Sequence, residues 1–135
     1  AALCVTVVLG GGVGLTGCAK TTIDPTITTS PAIETTTTLP TGTPADLLAK
    51  LLGEVSKLSD AIGNNDHKAQ QLAIIDNLWN AARPAIATAD GVQAQSFDAA
   101  IALCHTGERL NQPASADKCF RNLTTLAAAF LAKYP

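Results

Sequence analysis

Residues 43–66 read TPADLLAKLLGEVSKLSDAIGNND, and this stretch decides the fold. Leu48, Leu51, Val55, Leu58 and Ile62 recur at the three- and four-residue spacing of one helix face, and Leu47 and Leu52 widen the stripe. Asp46, Lys50, Glu54 and Lys57 fall on the opposite face at spacings that suit ion pairs. Thr43 is a good N-cap, Pro44 suits the first helical position, and Asp46 puts negative charge at the positive helix end. Gly63-Asn64-Asn65-Asp66 supplies turn chemistry to end the helix. Such a helix cannot cover its own apolar stripe, so partners must follow.

Three more helical patterns do follow. The second runs from about His67 to Ala89 with Leu72, Ile75, Trp79, Ala82 and Ile86 on one face. Pro84 interrupts it, removing the backbone bond to Asn80 at a cost of about 3 kcal/mol, so a kink or break is expected near Ala82–Pro84. Asp90-Gly91 makes a turn. The third pattern, Val92 to about Leu110, carries Phe97, Ile101 and Cys104. Asn111 to Ala114 reads as a loop, and Ser115 as the N-cap of a fourth helix with Asp117 in its first turn. Cys119, Leu123, Leu126 and Phe130 form its stripe, with Phe120, Leu131 and Tyr134 beside it. No stretch sustains the alternation of a strand. The expected fold is all-α: a small up-down-up-down four-helix bundle over residues 45–135, long enough for one core.

Before the bundle the composition changes. Residues 21–44 centre on Thr35-Thr36-Thr37-Thr38 and are punctuated by Pro25, Pro31, Pro40 and Pro44. With no apolar period to bury, the stretch cannot offset the entropy of ordering and is expected to be a disordered stalk. Fully extended it would reach about 70 Å, and as a flexible coil roughly 25–30 Å. Thr/Pro-rich stalks can carry O-linked sugars, and an unmodified spacer is the alternative. Asn122-Leu123-Thr124 fits the N-glycosylation pattern, but it lies inside a helical pattern and reads as chance.

Further toward the N-terminus, Leu15-Thr16-Gly17-Cys18 follows an apolar run in which residues 1–17 carry no charge. The tetrapeptide resembles the lipobox of bacterial lipoproteins, and the high Ala and Thr content resembles that of small actinobacterial cell-envelope lipoproteins. The resemblance implies a signal segment over 1–17, cut before Cys18, and a lipidated Cys18 heading a linker over 18–44. The apolar run is short for a membrane span, which needs about 20 residues, and Gly10, Gly11, Gly12, Gly14 and Gly17 disfavour a rigid helix there. An uncleaved anchor is the competing reading. The sequence has no Met and no Lys or Arg before Lys20, so the natural signal is expected to start upstream of Ala1.

A diacylglycerol brings two acyl chains, each buried methylene contributing about 0.8 kcal/mol, and one chain alone binds only reversibly. The expected localisation is the extracytoplasmic face of a cell membrane, tethered without spanning. With Cys4 lost in the signal and Cys18 consumed by lipid, Cys104 and Cys119 remain, in an oxidising compartment. An antiparallel hairpin turning near residues 111–114 brings them level, so a disulfide is expected. A redox-active pair would more usually show a C-x-x-C spacing.

Signs of catalysis are few. His67 sits in a polar helix start, and His105 follows Cys104. The familiar metal, phosphate and acyl-transfer motifs are missing, and Asp76, Asp98 and Asp117 read as solvated. No C-x-x-C-H attaches a c-type haem, no Met is available as an axial ligand, and a bis-His site would need His67 to face His105. No cofactor or metal is expected. A net charge of −2 without a basic stripe disfavours nucleic acid. Two readings remain ahead of an enzyme or metal protein. One is a non-enzymatic bundle presenting a surface to an envelope protein partner. The other is a carrier or sensor of a small apolar ligand held by Trp79, Ile86 and Phe97 where Pro84 splays the second helix.

Overall fold

In the computed structural model, which describes residues 38–135, the Thr43 side chain starts the first helix. Its Oγ1 accepts from the Asp46 backbone N–H at 3.2 Å, and the Asp46 carboxylate accepts from the Thr43 backbone N–H at 3.3 Å. This reciprocal capping box opens α1 (Pro44–Gly63). Three further helices follow: α2 (Lys68–Ala89), α3 (Gly91–Leu110) and α4 (Pro113–Lys133). They form the up-down-up-down bundle, each packing on its chain neighbours and α4 closing the ring against α1. Across the bundle α1 meets α3, while α2 and α4 stay apart.

The turns follow from local chemistry. Asn65 (φ 50°) ends α1 and Asn111 (φ 53°) ends α3, both left-handed, a conformation that Asn tolerates better than most residues. After α1, Asp66 N–H donates to the Ala61 carbonyl (2.9 Å) and Asn65 N–H to that of Ile62 (3.1 Å). After α3, Gln112 N–H donates to Gly107 (2.8 Å) and Asn111 N–H to Glu108 (3.3 Å). Both are Schellman closures. Between α2 and α3 a single residue, Asp90, makes the turn: its N–H donates to Ile86 (2.7 Å) and its Oδ1 accepts from Gln93 N–H (3.0 Å).

Two local expectations are corrected. The fourth helix begins at Pro113 with Gln112 as its N-cap, so Ser115 lies in the first turn and the loop is shorter than Asn111–Ala114. Proline at the first helical position, right after the left-handed Asn111, needs no longer connection. Secondly, α2 is not broken at Pro84. Pro84 and Asn80 are both exposed, so the unmatched Asn80 carbonyl lies on the solvent side, where water can satisfy it.

The stripes read from the sequence meet in one core. Leu48, Leu51, Val55, Leu58 and Ile62 of α1, Ile75 and Ile86 of α2, Phe97 of α3 and Leu123 of α4 are fully buried, and among the described residues no polar or charged one is buried. Cys104 and Cys119, also fully buried, form the disulfide between α3 and α4 with a Cα–Cα distance of 5.4 Å. Below it Gly107 is buried where α3 leads into α4. A Cβ there would lie 3.1 Å from both the Ala116 nitrogen and the Gln112 carbonyl oxygen, backbone atoms that cannot swing away.

Two predictions follow from this packing. The 15-residue separation of Cys104 and Cys119 implies about 3 kcal/mol of stabilisation through loop-closure entropy, so Cys104→Ala/Cys119→Ala should lose about that much in urea unfolding while remaining helical. A loss below about 1 kcal/mol would contradict the staple. The glycines should diverge. Gly53→Ala, with nothing within 4 Å, should gain about 0.5–1 kcal/mol of helix propensity. Gly107→Ala should instead lose about 1–3 kcal/mol through overpacking.

Candidate functional site

Depressions on the surface of the described residues lie between neighbouring helices and at one end of the bundle. One is an open groove of about 530 Å³ between α3 and α4, lined by Ser96, Ala99, Ala100 and Leu103 on one side and Asn122, Thr125 and Leu126 on the other. No lining residue is charged, and α4 carries no charge from Asn122 to Ala132. Small side chains open the groove because both helices bury their larger residues inward, and the Cys104–Cys119 bond fixes the separation of its walls. Gln93 Nε2 donates to the Leu126 carbonyl at 3.1 Å and ties the helices further. Thr124 and Thr125 turn their hydroxyls back to the Phe120 and Arg121 carbonyls, so the Asn122-Leu123-Thr124 motif lies wholly in helix.

A second depression, about 360 Å³, lies between α1 and α2 and is lined by Lys50, Glu54, Ile74, Asn77 and Leu78 with Thr38 and Pro40. The third, about 330 Å³, sits at the end of the bundle where Pro44 of α1, Ala85 and Ala89 of α2, and Phe130 and Tyr134 meet. At that end Lys133 Nζ reaches Asp90 Oδ2 at 2.9 Å, and the Tyr134 hydroxyl donates to the Ala89 carbonyl at 2.9 Å. The C-terminus of α4 is thus clasped to the α2–α3 turn.

Trp79, Ile86 and Phe97 line none of these depressions. All three are buried, Trp79 at 5% exposure, and the Trp79 ring stacks on Phe97 with centroids 5.2 Å apart. The expected opening beside them required a splayed α2, and α2 runs on through Pro84. Trp79 satisfies its one polar atom by donating from Nε1 to Asp98 Oδ1 at 2.9 Å. Arg83, one turn along α2, donates to both Asp98 oxygens, Nε to Oδ1 at 2.9 Å and the guanidinium NH2 group to Oδ2 at 2.8 Å. Of this clasp between α2 and α3, the sequence points to Trp79 as a ligand residue and to Asp98 as a solvated one, and not to Arg83. The four-residue spacing of Trp79 and Arg83 puts both on one helix face, a hint that they share a partner.

The two histidines take separate partners. His105 Nε2 lies 2.9 Å from Asp76 Oδ1 across α2 and α3, and His67 Nε2 lies 3.1 Å from Asp66 Oδ1. Among the described residues no three His, Cys, Asp or Glu side chains converge as a metal site would require. Nor is any described helix long and apolar enough to cross a membrane. Cys18 lies outside the described residues.

The carboxylates serve mainly in helix contacts. Hydrogen bonds from the Arg83 guanidinium, helped by the Trp79 indole, hold the Asp98 carboxyl below its ordinary value against the raising effect of burial. Lys133 and the Gln93 N–H do the same for Asp90, and Lys57 and Gln71 for Glu54. A carboxyl with a lowered folded pKa favours folding above its unfolded value of about 4, and the benefit is lost as pH falls through the folded value. Unfolding free energy should therefore hold steady from about pH 6 to 5 and fall below about pH 4. Asp98→Ala should flatten that fall and, by leaving the Trp79 N–H without an acceptor, cost about 1–3 kcal/mol at neutral pH. Urea unfolding followed by tryptophan fluorescence at pH 3 and pH 6 reads both effects.

Comparison of the chain with protein-family models, with curated proteins and with solved structures finds no match.

Proposed function

We propose that this is a lipid-anchored cell-envelope protein whose non-enzymatic bundle presents the α3–α4 face to a protein partner. The observation that carries the reading is Leu15-Thr16-Gly17-Cys18 after an uncharged run and directly before the Thr/Pro-rich stretch. Such an order resembles signal, lipidation site and stalk, and it puts Cys104 and Cys119 in a compartment where their disulfide persists. Two acyl chains on Cys18 hold the protein at the membrane, and the stalk carries the bundle away from the lipid surface.

The α3–α4 groove supports the second half of the reading. It is uncharged and rigidly framed, and its small walls admit a partner side chain without displacing ordered charges. Depletion of charge is the compositional mark of an interface centre. The best-placed carboxylates, Glu54, Asp90 and Asp98, are already engaged in contacts within and between helices, which suits a binding module better than an acid–base site.

The membrane tether is tested by fractionation. Cys18→Ala should move the protein from the membrane pellet to the soluble extracytoplasmic fraction, and a variant that stays membrane-bound would refute the anchor. The face is tested by photo-crosslinking residues placed at Ala99 and Thr125. Both should trap the same envelope protein, and trapping from Thr125 should be lost in Ala99→Arg, while a probe at Lys57 on α1 should trap nothing specific. Equal trapping from all three positions would contradict a specific α3–α4 interface.

A further inference from the structure

We propose that the partner on the α3–α4 face is a second copy of this chain, packed antiparallel along α3. The inference rests on the docking reading above and names the occupant of that same face. α3 carries two stripes. The inner one, Ala94, Phe97, Ile101 and Cys104, is buried in the core. The outer one is Val92, Ser96, Ala99, Leu103, Thr106 and Leu110, and its alternating four- and three-residue steps keep it on one side of the helix. Val92 is 75% exposed and Leu110 47%, Ser96 and Ala99 are exposed, and Leu103 and Thr106 are half-buried. A bundle helix ordinarily carries charge opposite its core face, and this stripe carries none. The charged side chains in the middle of α3 turn away instead, Asp98 to Trp79 and Arg83 and His105 to Asp76, all on α2. Ser96, Ala99 and Leu103 also form the α3 wall of the groove, so stripe and groove are one surface.

The order of side chains along the stripe identifies what covers it. Its spacing reads the same in both directions about the level of Ile101. With a two-fold axis at that level, Val92 of one copy meets Leu110 of the other, Ser96 meets Thr106, and Ala99 meets Leu103. Large apolar side chains thus meet at both ends, and the small Ala99 leaves room for Leu103 near the centre. Ser96 and Thr106 donate their hydroxyls to the Val92 and Ala102 carbonyls at 3.3 and 2.9 Å, so their pairing strands no donor. Such self-complementarity is what a two-fold interface requires. A parallel pair would set Ala99 on Ala99 and Leu103 on Leu103, a gap beside a clash.

The area suffices. The stripe runs about 27 Å from Val92 to Leu110, and two adjacent helices present a face roughly 20 Å wide. Each copy therefore offers on the order of 500 Å², and the pair buries about 1,000 Å², enough for a specific contact. On the α4 side Asn122, Thr125 and Leu126 extend the face without charge.

The test uses the full chain in its own envelope membrane. A photo-reactive residue in place of Ala99 should give an adduct of twice the chain's mass, attached near Leu103 of the other copy. Ser96→Glu alone, or Thr106→Lys alone, sets a charge against an uncharged side chain across the axis and should lower the adduct yield several-fold. The two together oppose carboxylate and ammonium at both ends and should restore it. Within one chain the two positions lie about 15 Å apart along the helix and cannot pair. Circular dichroism should show each variant as helical as the parent. An adduct with a different protein overturns the second copy as occupant and leaves the docking face standing, whereas no adduct at all from Ala99 overturns both. A dimer adduct attached outside α3, single variants without effect, or a double variant no better than its singles overturns the antiparallel pairing.

Discussion

The close approach of α3 and α4 sets the geometry of the rest. Gly107 lets the two backbones meet at the turn, and the Cys104–Cys119 bond holds them one helical stretch above it. A bundle this small has a core of Leu, Ile and Ala with few large rings, so side-chain packing alone leaves little margin. The covalent hairpin offers α1 and α2 a ready-made half of the core to pack on. It also gives the α3–α4 groove walls that do not drift apart.

Polar contacts complete the frame. Asp90 makes the α2–α3 turn and receives Lys133 from the end of α4, so one residue joins three helices. Asp98 does comparable work near the middle of α2 and α3 by holding Trp79 and Arg83. At the opposite end Lys68 of α2 donates to Asn111 Oδ1 at 2.9 Å, beside the C-terminus of α3, where a cation is favoured. The strongest side-chain interactions therefore hold helices in place. The α3–α4 face is the surface these contacts leave free of charge, which is why it is the proposed docking face.

Much of this was legible in the residues. The Leu48-to-Ile62 stripe predicts the buried face of α1, and Thr43-Pro44 marks its start, because both signals are local. The Cys104–Cys119 pairing was legible because hairpin geometry and cysteine inventory agree. The start of α4 was not: Ser115 with Asp117 reads as a cap, and Pro113 reads equally well as a first helical residue. The left-handed conformation of Asn111, which decides between them, has no sequence signature stronger than the Asn itself. Of the kink or break expected near Ala82–Pro84, the break is absent for a related reason. The penalty is local, but its relief comes from which side of the helix faces water. Trp79 was misplaced beside a ligand because its hydrogen-bond partner, Asp98, stands 19 residues away, and only the packed structure brings it near. The groove lay hidden in an absence of charge, a weaker signal than any motif.

One measurement examines both the proposed lipid tether at Cys18 and the Cys104–Cys119 disulfide of the bundle. Non-reducing tryptic mapping of the protein extracted from its membrane should show peptide 69–109 linked to peptide 119–121 through Cys104 and Cys119. The same map should begin at a Cys18 whose sulfur carries diacylglycerol. Free thiols at Cys104 and Cys119 would contradict the disulfide, and a chain continuing upstream of an unmodified Cys18 would contradict the tether.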